Sequence, residues 1–191
     1  MLKNVRVTKA NQVWVTDITY IPMQRGYCYL TAIMDLYSRK ILSWKLSNTL
    51  DTRFCKEALN EALAKYPKPQ IFNSDQGSQY TSNEFTEILQ NNNIQISMDS
   101  KGRWIDNVFI ERFWRSLKYE EVYLRAYESI SEAKRYIKIY MDDYNQDRGH
   151  SSLKKQTPDK VYNLSMSTQL RPIVNRLKSK RLKADKQRPF P

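Results

Sequence analysis

Histidine and cysteine are nearly absent from this chain: one histidine, His150, and two cysteines, Cys28 and Cys55, among 191 residues. A Cys₂His₂, Cys₃His or Cys₄ zinc site needs four such ligands, and only three scattered ones exist. A Ser-His-Asp or Cys-His triad would have to use His150. A disulfide framework is excluded, so a reducing, cytoplasmic compartment is expected. No run of about 18 apolar residues is present, and the first 20 residues lack an apolar signal core. Neither a membrane span nor a secretory leader is therefore expected, and no membrane partner.

Hydrophobic residues make up 40% of the chain and aromatics 12%, enough for a packed core in one domain. The formal charge is +12, and it is unevenly spread. Residues 171–191 hold eight basic residues and one acid, for a net +7. Such a tail reads as a polyanion-binding arm rather than a membrane-surface segment, because it has no amphipathic aromatic face. A merely solvating or targeting tail is the alternative.

Alternation of β-branched and aromatic residues predicts a strand over 13–21 (VWVTDITYI). Further strands are expected at 27–35 and 40–46, forming an antiparallel meander. Asp51 or Thr52 caps a helix to about Lys65, which Pro67 and Pro69 end. Short strands follow at 70–74 and 94–97, with a helix at 81–91 between them. Helices are expected at 106–124 and 131–145, and a last short helix starts at Thr157-Pro158. The order βββαβαβαα argues for an α/β fold, a mixed five-stranded sheet flanked by helices, with residues 1–10 as a linker end and 164–191 as the basic tail.

In so basic a protein, acids in unlikely places carry information. Asp17 interrupts an apolar strand, where Asp is depleted. Asp75, in NSDQGSQY, follows a short strand at its carboxyl end, where open α/β sheets place ligands. Glu111 lies early in a helix, in WIDNVFIERFWRSLK. Singly, each has a structural reading: a strand-end acid, a turn or cap residue, an exposed helix acid. Together they suggest chemistry. Converging carboxylates are costly to bury unless cations neutralise them, and two divalent ions about 3.5–4 Å apart could clamp a phosphodiester. All-oxygen ligands suit Mg²⁺, or Mn²⁺ in its place. Without metal, such acids should hold a proton more readily than isolated ones. Arg115 and Lys118 share the helix face of Glu111 and suit a phosphate backbone, although Glu111 and Arg115 could also form a simple i,i+4 pair.

Five segments bring a resemblance into view: NQVWVTDITYI, LTAIMDLYSRKILSWKLS, NSDQGSQYTSNEF, DNVFIERFWRSLKYE and YNQDRGHSSLKKQTPDKVY. In order and spacing they resemble the catalytic core of DDE transposases from bacterial insertion sequences, a group similar to retroviral integrase. Thirty-five residues separate Asp75 from Glu111, and Lys118 stands seven positions after the glutamate, both as in that family. The likeness spans about residues 11–163.

The resemblance implies a ribonuclease-H-like fold in which Asp17, Asp75 and Glu111 bind two Mg²⁺ ions. It implies phosphodiester hydrolysis followed by strand transfer, with water or a DNA 3′-hydroxyl as nucleophile and no covalent protein–DNA intermediate. Lys118 would contact DNA, with Arg115, Arg103 and Trp104 as further DNA contacts. DNA ends and target, other copies of the chain, and a polypeptide carrying a helix-turn-helix reader are the implied partners, in a bacterial, nucleoid-associated setting. An inactive DNA-binding remnant and a ribonuclease-H-like nuclease are the alternatives. Two departures stand out. Asn73 replaces a histidine found in many relatives, and Gly149 replaces proline in the Arg148–Ser152 tract. His150 reads as a packing residue or phosphate contact rather than a general base. Asp35, Asp142 and Asp143 read as structural acids, and the tryptophans, apart from Trp104, as core.

Overall fold

Side-chain alternation in the first strand decides which helices lie on which face of the sheet. In the computed structural model, which describes residues 5–98 and 108–186, with side chains as far as Pro172, β1 runs Val13–Pro22. Val13 and Val15 point to one face and Trp14 to the other, as a period of two requires. β1 pairs antiparallel with β2 (Tyr27–Asp35), and β2 pairs antiparallel with β3 (Ile41–Ser47). These strands form the expected meander.

Helix α1 (Thr52–Lys65) starts at Asp51, whose side chain accepts from the Arg53 backbone N–H at 2.9 Å. It ends at Tyr66, just before Pro67. It carries the chain over the sheet to β4 (Ile71–Ser74), which lies parallel to β1. A single helix expected at 81–91 is two: a short α2 (Ser78–Thr81) and α3 (Asn83–Asn91). The break falls at Ser82, whose extended backbone and side-chain bond to the Phe85 N–H cap the second helix. β5 (Gln95–Met98) then adds parallel to β4, giving a mixed sheet in the order β3-β2-β1-β4-β5.

Helix α4 (Val108–Glu120) is followed by a separate 3₁₀ turn at Val122–Leu124, where one continuous helix is expected. Helix α5 spans Ile130–Gln146 from a Ser129 cap. The final helix departs most from expectation: α6 runs 29 residues, Pro158–Lys186, rather than one short stretch. Pro172 sits inside it, removing one backbone donor without ending the helix.

Two apolar clusters sandwich the sheet. On the face of Val13 and Val15, α4 and α5 contribute Ile110, Phe113, Trp114, Leu117, Ile137 and Met141. On the face of Trp14, α1 and α3 contribute Phe54, Leu59, Phe85 and Leu89, joined by Tyr162 of α6. Burying each such side chain is worth about 1.5–3 kcal/mol. The segment before β1 also packs, with Val5 and Val7 against the first cluster. Asn11 binds the Tyr162 hydroxyl and accepts from the Trp14 indole, docking the start of α6 on the sheet.

Candidate active site

Asp17 lies on β1 with the parity of Val13 and Val15, so it faces α4. The β1–β4 register pairs Val13 with Ile71 and Val15 with Asn73. Continuing that register two residues, one past the end of β4, would bring Asp75 beside Asp17, which lies midway along β1. Neighbouring strands are about 4.8 Å apart. Two carboxylates distant in the chain thus become neighbours through strand pairing.

Helix α4 brings the third acid. Trp114 is buried, and its indole Nε1–H donates to Asp17 Oδ2 at 3.0 Å. Glu111 stands three residues earlier, one turn away on the same side of the helix. Sequence reasoning placed Trp114 in the core and missed its polar contact. The available signal is its i+3 spacing from Glu111.

Electrostatics reports the convergence. The Asp17 carboxyl is pushed up to about 6, first by burial, and then by the charges of Asp75 and Glu111. Hydrogen bonds from the Ile18 backbone and the Trp114 indole oppose the rise. The expected raised proton affinity is therefore present, but its main cause is burial rather than mutual repulsion. Asp75 is exposed and accepts from the Gly77 N–H at 3.0 Å. A Cβ at position 77 would stand only 3.0 Å from Asp75 Oδ1, so glycine gives that turn its room. Glu111 is exposed, and the Arg115 guanidinium lies 6.0 Å from the Tyr119 ring.

Among the described residues, no three His, Cys, Asp or Glu side chains are gathered closely enough to hold a metal ion as they stand. The donor set still suits a hard cation. All three groups are carboxylates, and Asp17 bears a desolvation cost that a cation would offset.

The remaining candidates divide clearly. Lys118 is half-buried and Arg115 exposed, both on the Glu111 side of α4. Arg103 and Trp104 lie outside the described residues. Asp35 is fully buried and accepts from Asn11 N, Ser38 N and Ser38 Oγ at 2.6–2.8 Å, the structural acid expected. Asp142 and Asp143 are solvated. Both cysteines are buried and unpaired, and burial pushes Cys28 to about 11 and Cys55 to about 12, so neither is a ready nucleophile.

Comparison with known proteins agrees with this architecture. Two integrase core domain families match, over residues 7–103 and 92–158. The transposase for insertion sequence element IS904 of Lactococcus lactis is 36% identical over 156 residues, covering 80% of this chain and 62% of that protein. Transposase InsF for insertion sequence IS3A of Escherichia coli is 32% identical over 160 residues, covering 82% of this chain and 56% of that protein. The chain thus spans only about three-fifths of the curated relatives it matches. Among solved structures, the HTLV-2 integrase catalytic core domain in complex with magnesium superposes with a TM-score of 0.67. It is 18% identical, and the match covers 82% of this chain and 99% of that one. A chain of the simian T-cell lymphotropic virus intasome gives 0.71 at 17% identity, covering 83% and 56%. The fold is the ribonuclease-H-like fold of retroviral integrase cores. The chain belongs to the integrase core domain family.

Proposed function

We propose that residues 11–163 form the catalytic core of an insertion-sequence transposase that cleaves and joins DNA ends. What supports this reading is the β1–β4 register, which runs toward Asp17 and Asp75 together, and the charges of Asp75 and Glu111 that raise the Asp17 carboxyl. Asp17, Asp75 and Glu111 are the residues that would hold two divalent cations, Mg²⁺ or Mn²⁺. Cations held there supply charge stabilisation at the attacking and leaving oxygens of an in-line phosphodiester displacement.

The chain's own residues do the rest. Trp114 fixes the orientation of the Asp17 carboxylate. Lys118 and Arg115 present positive charge to the DNA backbone along α4, with Arg103 and Trp104 as further contacts. The tail over 164–191 adds sequence-blind attraction. The active assembly is a homo-oligomer on transposon ends and target DNA, in the bacterial cytoplasm at the nucleoid, with end recognition supplied by a helix-turn-helix polypeptide. Among the described residues, no helix is long and apolar enough to cross a membrane.

The test is a cleavage and strand-transfer assay on an end oligonucleotide taken from the DNA flanking the gene, with Mg²⁺ or Mn²⁺. Wild type should cleave and join, and Asp75→Asn should do neither. Full activity in Asp75→Asn sinks the proposal. Binding without joining by the wild type marks a DNA-binding remnant. Preference for an RNA–DNA hybrid marks a ribonuclease-H-like nuclease.

A further inference from the structure

A second polar cavity lies on the other side of α4. Its helix wall is Phe109, Arg112, Phe113 and Ser116, at i, i+3, i+4 and i+7. At about 100° per residue this stripe faces away from Glu111 and Lys118. The cavity holds about 260 Å³ and opens to solvent between α4, the β2–β3 turn and the segment after α5. Three arginines from three different elements meet there: Arg39 from the turn, Arg112 from α4, and Arg148 after α5. Among the described residues that line it none carries a carboxylate, and the nearest acid, Glu120, pairs with Arg148 behind the wall.

The arrangement is built rather than incidental. Arg39 takes a left-handed backbone conformation (φ 65°) at the turn, and its guanidinium stacks 3.2 Å from the centre of the Phe109 ring. One terminal nitrogen donates to the Leu36 carbonyl, while its Nε is buried with no partner. Burial pulls Arg39 down to about 10, so it remains a cation at neutral pH. Arg148 is held by Glu120 through both terminal nitrogens and donates to the Tyr140 hydroxyl at 3.0 Å. His150 packs edge-on against Tyr144, with ring centres 4.6 Å apart, and its Nε2 is likewise buried without a partner.

The Arg39 Nε–H is a donor left without a partner, which is costly unless an acceptor completes it, and the His150 Nε2 can donate to an anion once it is protonated. We propose that this cavity is a phosphate-binding pocket, in which Arg39 and Arg112 supply the charge, Arg148 forms a wall already paired with Glu120, and protonated His150, Ser116 and Ser151 give the hydrogen bonds. Planar guanidinium groups match a tetrahedral oxyanion through paired N–H donors. The proposal stands apart from the carboxylate site, and either can fail without the other. The phosphate is a backbone phosphate of bound DNA or a free anion, and the chemistry of the pocket is the same for both.

His150 is the natural reporter, because it is the chain's sole histidine and its ring resonances need no assignment. The groups facing it are Tyr144 from α5, Glu120 and Arg112 from α4, Arg39 from the turn, and its neighbour Arg148. Burial, with the nearby Arg148 and Arg39 charges, holds the imidazole below its ordinary value. A bound phosphate should reverse that and favour Nε2 protonation.

The experiment titrates inorganic phosphate into the full chain at constant ionic strength and follows the His150 ring by NMR. The expected result is a saturable shift with a raised His150 titration midpoint, weakened at least tenfold in Arg112→Gln. Arg112 is exposed, so that variant should keep the fold, checked by its thermal melt. Ring resonances that ignore phosphate, or an unchanged midpoint in folded Arg112→Gln, overturn the proposal. A short DNA duplex identifies the source. If duplex abolishes the phosphate response and itself shifts the ring, the pocket seats the DNA backbone. If phosphate still shifts the ring of the DNA-bound protein, it takes a free anion.

Discussion

The indole N–H of Trp114 donates to the carboxylate of Asp17 at 3.0 Å, joining α4 to β1 across 97 positions of sequence. This bond stabilises the charged form of a half-buried acid. Replacing Trp114 with Phe should therefore raise the Asp17 midpoint above about 6. The same change should cost about 1 kcal/mol of stability from the lost hydrogen bond, apart from any packing loss. Carbonyl-carbon NMR titration of Asp17 reads the first effect and urea denaturation the second.

Asp17 also predicts how stability depends on pH in metal-free buffer. Its folded midpoint of about 6 lies above the ordinary 3.8, so the folded state binds the proton more tightly than the unfolded chain. Stability should fall as pH rises from about 4 to 6 and carry the full penalty above 6. Asp17→Asn removes the penalty. It should be more stable than wild type by about 3 kcal/mol at pH 7.5 in EDTA, and about equal to it near pH 3.5. Added Mg²⁺ should stabilise the wild type and not the variant.

Asp35 and Asp75 should separate structure from chemistry. Asp35 accepts three hydrogen bonds in full burial, two from backbone N–H groups that would be orphaned without it. Asp35→Ala should cost about 3–5 kcal/mol and leave little folded protein. Asp75 is exposed and accepts one backbone bond, so Asp75→Asn should change stability by less than about 1 kcal/mol. Thermal melts beside the strand-transfer assay distinguish the two losses of function.

Gly149 is required by a close backbone approach. A Cβ there would meet the Lys155 carbonyl oxygen at 2.7 Å, beside the bridge between His150 and Gln156. Gly149→Ala should lose about 1–3 kcal/mol, because backbone rather than a mobile side chain must give way. Chemical denaturation of the alanine variant checks the cost.

Residues 173–191 carry seven basic side chains and one acid. Among the described residues, α6 docks through hydrogen bonds at Tyr162, Ser165 and Gln169. Truncation after Pro172 should leave the melting temperature nearly unchanged while weakening DNA binding. The slope of log affinity against log salt should become shallower by up to about 5, if most of these charges meet phosphates. Fluorescence anisotropy between 50 and 200 mM salt would measure it, a range over which the effect spans about 10³–10⁵ for six to ten contacts.

Much of this protein could be read from local pattern. Alternation in VWVTDITYI, the Asp51 cap and the Pro67 stop act over a few residues, and β1 and α1 follow them closely. The acids were conspicuous because Asp in an apolar strand and Asp after a strand end are locally unfavourable. The length of α6 is not legible in the sequence, because its polar, weakly periodic residues carry little helical signal and Pro172 reads as a stop. The break at Ser82 has no distinctive local signal, because a serine inside a helical run is also an ordinary helix residue.

Long-range pairing decided the rest. Which strand lies beside β1, and in what register, depends on burying both faces of the sheet at once, and that pairing leads Asp75 toward Asp17. The same packing turned Trp114 from a core residue into a carboxylate partner, and drew Arg39, Arg112 and Arg148 into one cavity. Residue types and their spacing are properties of the chain. The distances between residues far apart along it arise only when apolar surfaces close on one another and carry the polar groups with them.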